Sequence, residues 1–318
     1  MKEQHTLDVR ELDPVQKHPT IFESYDALDP GSSLILINDH DPKPLLYQFQ
    51  KERMGQFSWD YLEEGPKLWR IAIGKAPALS QLTVGELITE DFRNAEVLKR
   101  HGIDFCCGGK KTISEASQMV GMDIDELLSE LNDVQNSKGG GSLDRFGDWS
   151  VELLIHYILE NHHNWLKTKI PEMLPIVQKV AGVHGDTHPE TMEISKLFQE
   201  MVNDLIPHMQ KEEIVLFPYL EKLTIAMHSG TEPPHPFFGS LENPLSGMEA
   251  DHETVGSIMA SINKLSKNYT VPEDGCASFQ LVYGFLAEFE ADLHQHIHLE
   301  NNILFPKARA LARELGVL

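Results

Sequence analysis

The sequence predicts a mainly α-helical protein with a small α/β part at its N-terminus, and three observations lead there. After about residue 148, four long segments repeat apolar residues at helical spacing, separated by Gly-, Pro- and Ser-rich stretches such as Ser229 to Pro244. Between about residues 80 and 135, short runs begin on helix-capping residues and stop at glycines. Before residue 75 the apolar residues form short β-type runs instead. At 318 residues the chain suits two or three domains, each with its own core. The expected boundaries are 5–75 for a two-layer α/β domain, 80–135 for a small helical domain and 148–318 for an antiparallel four-helix bundle.

In the first part, Ser33-Leu34-Ile35-Leu36-Ile37-Asn38 reads as a strand ended by the turn Asp39-His40-Asp41-Pro42. Trp69-Arg70-Ile71-Ala72-Ile73 alternates as a half-buried strand does, and Pro44 to Lys51 starts on a proline suited to a first helical turn. In the second part, Thr83 and Glu86 make a capping box. Helices follow over Asn94 to His101, Ser114 to Val120 and Asp123 to Asn132, the first two stopped by Gly102 and Gly121. The run Asn136 to Ser142, with Gly139 to Gly141, reads as a flexible linker that lets the second part swing to the bundle and back.

Composition narrows the functional classes. A net charge of -22 argues against nucleic acid as a partner, because phosphate binding needs a basic face. No apolar run is long enough to span a membrane, and no signal peptide is visible behind Met1. Three cysteines, one necessarily unpaired, fit a reducing cytoplasm rather than a disulfide scaffold. Oligomeric state is open. The unusual feature is sixteen histidines, most of them after residue 155.

Those histidines interrupt stripes that should be apolar. Ile155, Leu159, His163, Leu166 and Ile170 share a face of the first long helix, and Leu245, Met248, His252, Val255 and Met259 a face of the third. The second helix carries Met201, Leu205, His208, Glu212, Val215 and Tyr219, and the fourth Val282, Phe289, Leu293, His296, Glu300 and Ile303. A lone inward histidine is commonly a satisfied core residue, but here each helix has one and two helices add a carboxylate one turn on. Unpaired buried carboxylates facing each other repel, and a multivalent cation removes that conflict. Four His and two Glu exceed a structural zinc site; nitrogen and carboxylate without thiolate suit two irons bridged by the carboxylates, with manganese less favoured. The repeated Leu-Phe-Pro (Leu216 to Pro218 and Leu304 to Pro306) packs and ends or bends a helix in both copies.

Cys106 and Cys107 stand in His101-Gly102-Ile103-Asp104-Phe105-Cys106-Cys107-Gly108-Gly109. Adjacent cysteines strain a disulfide, and zinc sites favour Cys-x-x-Cys. Lys110 and Lys111 and an expected helix start nearby would stabilise a thiolate. The open readings are a redox thiol, a transient iron or cluster ligand, a nitric oxide acceptor, or two small buried residues. Cys276 has no partner in sequence and reads as structural.

On His208-Met209-Gln210-Lys211-Glu212-Glu213, Ala250-Asp251-His252-Glu253 and His296 to Pro306, the third part resembles the hemerythrin-like domain of the di-iron repair-of-iron-centres proteins. Asn94 to Gly109 resembles the short N-terminal domain of the same family. That resemblance implies two irons bridged by both glutamates and an oxo group, with His163, His208, Glu212, His252, His296 and Glu300 as ligands. It adds His184, in Gly182-Val183-His184-Gly185-Asp186, as an accessory or exchangeable ligand. His188, His235, His294 and His298 are expected at the surface or behind the ligands. The first part resembles the sulfur-carrier (TusA-like) fold on Leu7-Asp8-Val9-Arg10, the Asn38 to Pro42 turn and Trp59 to Pro66, but residues 1–105 contain no cysteine for persulfide transfer. The implied function is repair of, or iron supply to, iron–sulfur clusters damaged by nitrosative or oxidative stress, with iron–sulfur proteins or apo-clusters as acceptors and Cys106 and Cys107 as redox or transfer thiols. The alternative is a di-iron enzyme or gas binder that reacts with nitric oxide or dioxygen.

Overall fold

The computed structural model describes residues 4–53, 56–136 and 146–318. They form two compact units, up to Leu82 and from Thr83 onward. The mainly helical class with a small N-terminal sheet holds. Ser137 to Ser142, the greater part of the expected linker, lies outside the described residues.

The first unit is a four-stranded sheet, β1 (Gln4–Asp8), β2 (Ser33–Asn38), β3 (Phe57–Gly65) and β4 (Leu68–Lys75), in the order β1-β2-β4-β3. β1 runs parallel to β2, while β4 is antiparallel to both β2 and β3. Helices α1 (Pro14–Asp26) and α2 (Lys43–Glu52) make the second layer. Leu34, Leu36, Ile71 and Ile73 from the sheet pack with Ile21 and Tyr25 of α1 and Leu45 and Phe49 of α2. Each strand's period of two presents one apolar set to those helices, which produces the expected two layers. β1, α1 and β3 carried no sequence signal strong enough to name beforehand. His40 Nδ1 meets Asp39 Oδ1 at 2.7 Å, a contact within the turn itself.

In the second unit, α3 (Val84–Glu90), α4 (Asn94–Arg100), α5 (Ile113–Val120) and α6 (Ile124–Asn136) precede the bundle. Thr83 with Glu86, and Thr112 with Glu115, form capping boxes, and Gly121 closes α5 in the left-handed conformation. Four rods complete the unit. The first is α7 (Val151–Tyr157) and α8 (Asn164–His184), the second α9 (Glu190–Lys211) and α10 (Phe217–Ser229). The third is α11 (Glu242–Leu265), the fourth α12 (Ala277–His298) and α13 (Phe305–Glu314). α8 packs on α9, α9 on α11, α11 on α12 and α12 back on α8, closing an antiparallel bundle. None of the described helices is long and apolar enough to cross a membrane.

Three rods share an irregularity the stripes did not predict. π-helical turns span Ile158–His163, Glu212–Leu216 and Leu299–Leu304, whereas α11 continues unbroken. A π turn inserts one extra residue and rotates the side chains beyond it about the helix axis. After Glu212, therefore, Leu216 is fully buried and Val215 only half-buried; in the first rod Ile158, where the π turn begins, is fully buried while Leu159 packs at the edge of the core. Pro218 and Pro306, the second residues of α10 and α13, start a new α segment after the π turn, where a missing backbone N–H is tolerated.

Candidate metal centre

Six side chains meet at the bundle axis, three of them (His163, Glu212 and Glu300) from the π turns. His163, His208, Glu212, His252, His296 and Glu300 are all buried, with Glu212 and Glu300 fully so. They form two groups that share both carboxylates: His163 and His296 with Glu212 and Glu300, and His208 and His252 with the same pair. Within each group the potential ligand atoms lie within 4.8 Å of one another. His163 Nε2 is 3.1 Å from His296 Nε2, and His208 Nε2 is 2.9 Å from His252 Nε2. Glu300 turns one oxygen to each side, Oε1 to His296 at 3.1 Å and Oε2 to His252 at 3.1 Å. Glu212 Oε2 lies 3.5 Å from His163 Nε2 and 3.4 Å from His208 Nε2.

The atoms behind the imidazoles decide what faces the centre. His163 Nδ1–H donates to Glu213 Oε1 at 2.8 Å, and Lys167 holds Glu213 at 2.6 Å. His208 Nδ1 is 3.3 Å from Asp251 Oδ2, and His252 Nδ1–H donates to Asn301 Oδ1 at 2.9 Å. With their protons outside, the Nε2 atoms of His208 and His252 point lone pairs at each other across 2.9 Å. That contact is repulsive unless something positive lies between them. Outer acceptors of this kind orient metal-bound histidines. The fourth imidazole, His296, stacks on His162 at 5.3 Å between ring centroids, and His162 Nδ1–H donates to Asp292 at 2.9 Å.

Electrostatics points the same way. Burial and then the neighbouring imidazole hold His163 and His208 down at a pKa of about 4, so both are neutral at pH 7. Burial and the adjacent Glu300 carboxylate push Glu212 well above the usual range. Burial would raise Glu300 too, but the neighbouring His296 imidazole holds it well below that range. One of two neighbouring carboxylates is thus charged and the other resists charging. Both Glu212 oxygens and Glu300 Oε2 lack a hydrogen-bond partner among the described residues. Orphaned buried carboxylate oxygens are costly and demand an explanation. A pair of cations satisfies all of these atoms at once, so the donor set fits a dinuclear nitrogen–oxygen centre.

The other predicted residues are placed differently. His184 is not brought to the centre: it ends α8, twenty-one residues of helix beyond His163, roughly 31 Å at 1.5 Å per residue. There its Nε2 meets the Cys276 sulfur at 3.2 Å, so Cys276 does have a partner. His188 lies beside Asp274, His235 is exposed and His294 is half-buried near Phe105. His298, expected at the surface or behind the ligands, is fully buried, and its Nδ1 accepts from Asn302 Nδ2 at 3.0 Å. Glu213, Asp251, Asn301 and His162 had no assigned role, yet each abuts a residue of the centre; adjacency to a motif residue was their only sequence signal.

Cys106 and Cys107 sit against this end of the bundle. Cys107 Sγ is 3.6 Å from the His252 carbonyl oxygen. Asn301 Nδ2 donates to the Cys106 carbonyl at 3.3 Å while its Oδ1 receives the His252 proton, so one side chain joins the cysteine loop to the centre. Asn302 Nδ2 donates to the Phe105 carbonyl at 3.0 Å, and a Cβ on Gly109 would collide with the Asn302 side chain. The expected thiolate stabilisation does not materialise at Cys106. Its thiol donates to Asp104 Oδ1 at 3.2 Å, and Cys107, burial and Asp104 push it well above its usual value. Lys110 reaches Glu249 instead, at 3.4 Å.

Comparison with known proteins agrees with this arrangement. Residues 154–308 match the hemerythrin HHE cation-binding domain. Residues 80–135 match the ScdA N-terminal domain, described as of unknown function, and residues 6–75 an uncharacterized conserved protein family. The iron–sulfur cluster repair protein ScdA of Staphylococcus epidermidis is 33% identical over 226 residues, 70% of this chain and 96% of that protein. The iron–sulfur cluster repair protein YtfE of Yersinia pseudotuberculosis is 32% identical over 229 residues, 71% of this chain and 96% of its own length.

Proposed function

Because this chain belongs to the hemerythrin-domain family of iron–sulfur cluster repair proteins, we propose that it holds two iron ions in the bundle and supplies iron to damaged iron–sulfur clusters. His163 and His296 would hold one ion and His208 and His252 the other, with Glu212 and Glu300 bridging. The observation that carries the reading is the His208–His252 pair, two outward-protonated imidazoles facing each other beside carboxylate oxygens that nothing else satisfies. Bound iron supplies a redox-active, exchangeable ion. The chain supplies the rest: Glu213, Asp251 and Asn301 keep protons on the Nδ1 atoms and leave Nε2 to bind. The apolar layer of Leu154, Ile158, Leu216, Phe217, Ile303 and Phe305 excludes water from one side. Cys106 and Cys107 serve as the transfer thiols, a role supported by their position against His252 and Asn301.

The test loads the protein with isotopically labelled iron and offers an apo-cluster acceptor. Label should reach the acceptor from the wild type and fail to do so from C106S/C107S. Stoichiometric nitrous oxide released from nitric oxide by the reduced protein, with no label transferred, would overturn delivery in favour of gas chemistry. So would a metal content of about one zinc and no iron.

A further inference from the structure

We propose that Asp104, Cys106 and Cys107 form a second, mononuclear cation site outside the bundle, which takes one thiophilic divalent ion in transit. The inference deepens the delivery reading and rests on it for the word transit, though not for the site itself. The two sulfurs are free and 3.8 Å apart. Two thiolates bound at about 2.3 Å to one tetrahedral ion lie about 3.8 Å apart, so the pair already has the span such an ion needs. A disulfide would require them to close to about 2.0 Å across a single peptide, where the geometry is strained. Asp104 Oδ1 is 3.2 Å from Cys106 Sγ and accepts the amides of Cys106 and Cys107 at 3.0 Å each, which fixes the carboxylate beside both sulfurs. The potential ligand atoms of the three residues lie within 4.8 Å of one another.

The surroundings give the site access and direction. Cys106 and Cys107 line a cavity of about 310 Å³ whose wall also carries Glu249, Glu253 and Asn301. Lys110, also on that wall, and Arg309 pair with Glu249, leaving Glu253 as the acidic side chain that favours a cation, and Asn301 is the residue that holds the His252 proton. The cavity therefore connects the thiol pair to the residue behind a centre ligand. Binding is a proton exchange: one ion enters, each thiol releases its proton to water, and two sulfur–metal bonds replace two S–H bonds with no change of oxidation state. The ordering of the loop by Asn301 and Asn302 means that little rearrangement is needed.

The test adds Co²⁺ to the iron-loaded protein and reads the cobalt X-ray absorption edge, which reports the neighbours of cobalt independently of iron. The site predicts one additional Co²⁺ with two sulfur neighbours at about 2.3 Å. C106S and C107S should each leave one sulfur neighbour, C106S/C107S none, and C276S should leave both. Cobalt bound only through nitrogen and oxygen would overturn the site, as would sulfur scattering that survives C106S/C107S. The two proposals separate cleanly. Cobalt on the thiols with no label reaching the acceptor leaves the site standing and removes delivery. Label reaching the acceptor from the wild type and not from C106S/C107S, with no cobalt–sulfur signal in the wild type, does the reverse.

Discussion

The two ends of α8 carry similar chemistry and do different things with it. At one end His163 meets Glu212, His296 and Glu300; at the other, His184 and His188 meet Cys276 and Asp274. Histidine, carboxylate and, at the far end, thiol are all ligand types. At the far end each imidazole has found a partner: His188 Nε2 lies 3.0 Å from Asp274, which raises its pKa, and His184 pairs with an exposed cysteine. In the centre the groups are buried, the two carboxylates lie within 4.8 Å of each other, and three of their oxygens lack partners among the described residues. What distinguishes a metal centre here is buried polar demand that the protein leaves unmet.

The largest way to break that contrast is to remove the demand. Glu212→Gln together with Glu300→Gln deletes both anions, and the variant should lose the two ions proposed for the centre, with none retained after desalting, by elemental analysis. The smaller anion set should not unfold the bundle, since neutral isosteres relieve the repulsion between the two carboxylates.

Next comes a pH experiment on the metal-free protein at His298. Burial alone holds its pKa down to about 3, against about 6.5 in an unfolded chain. Between those values the unfolded state binds the proton and the folded state does not, so stability is flat above about pH 6.5 and falls as pH falls below it. His298→Asn removes this contribution. Its stability relative to wild type should therefore improve by about 3 kcal/mol between pH 7 and pH 4, read by denaturant unfolding at each pH. An unchanged difference would mean that His298 is not buried as described.

A more moderate effect is expected behind the ligands. Asp251→Asn and Glu213→Gln leave every ligand in place but weaken the acceptors that fix two Nδ1 protons. Metal affinity should fall by about 10- to 100-fold in competition with a chelator. The smallest effect belongs to the far end of α8. His184→Ala and Cys276→Ser should leave the iron count unchanged and shift stability by no more than about 0.5 kcal/mol. Loss of an ion on His184→Ala would collapse the distinction drawn between the two ends.

Much of the helical architecture was legible beforehand, because caps and periodicity are local. Thr83 with Glu86, Gly102 and Gly121 each appeared at the helix end expected for it. The first unit was less legible: β3 is mixed with charged residues on its exposed positions, and α1 has a weak apolar stripe interrupted by Pro19. Within the centre, the His-x-x-x-Glu spacing placed His208 with Glu212 and His296 with Glu300 on single faces, since residues four apart are neighbours on any helix.

By itself, then, the sequence determined the helix-borne His–Glu pairs, the family and the mainly helical class, which rest on local spacing and motifs. Only the tertiary structure decided that π turns rotate three of the four rods, that Leu216 rather than Val215 turns inward, and that His298 is buried while His184 stands far from the centre. It also decided that Cys106, 146 residues before His252, lies within one asparagine of it. These are contacts between distant segments, fixed by how apolar surfaces pack and which buried groups remain to be satisfied, and no local spacing encodes them.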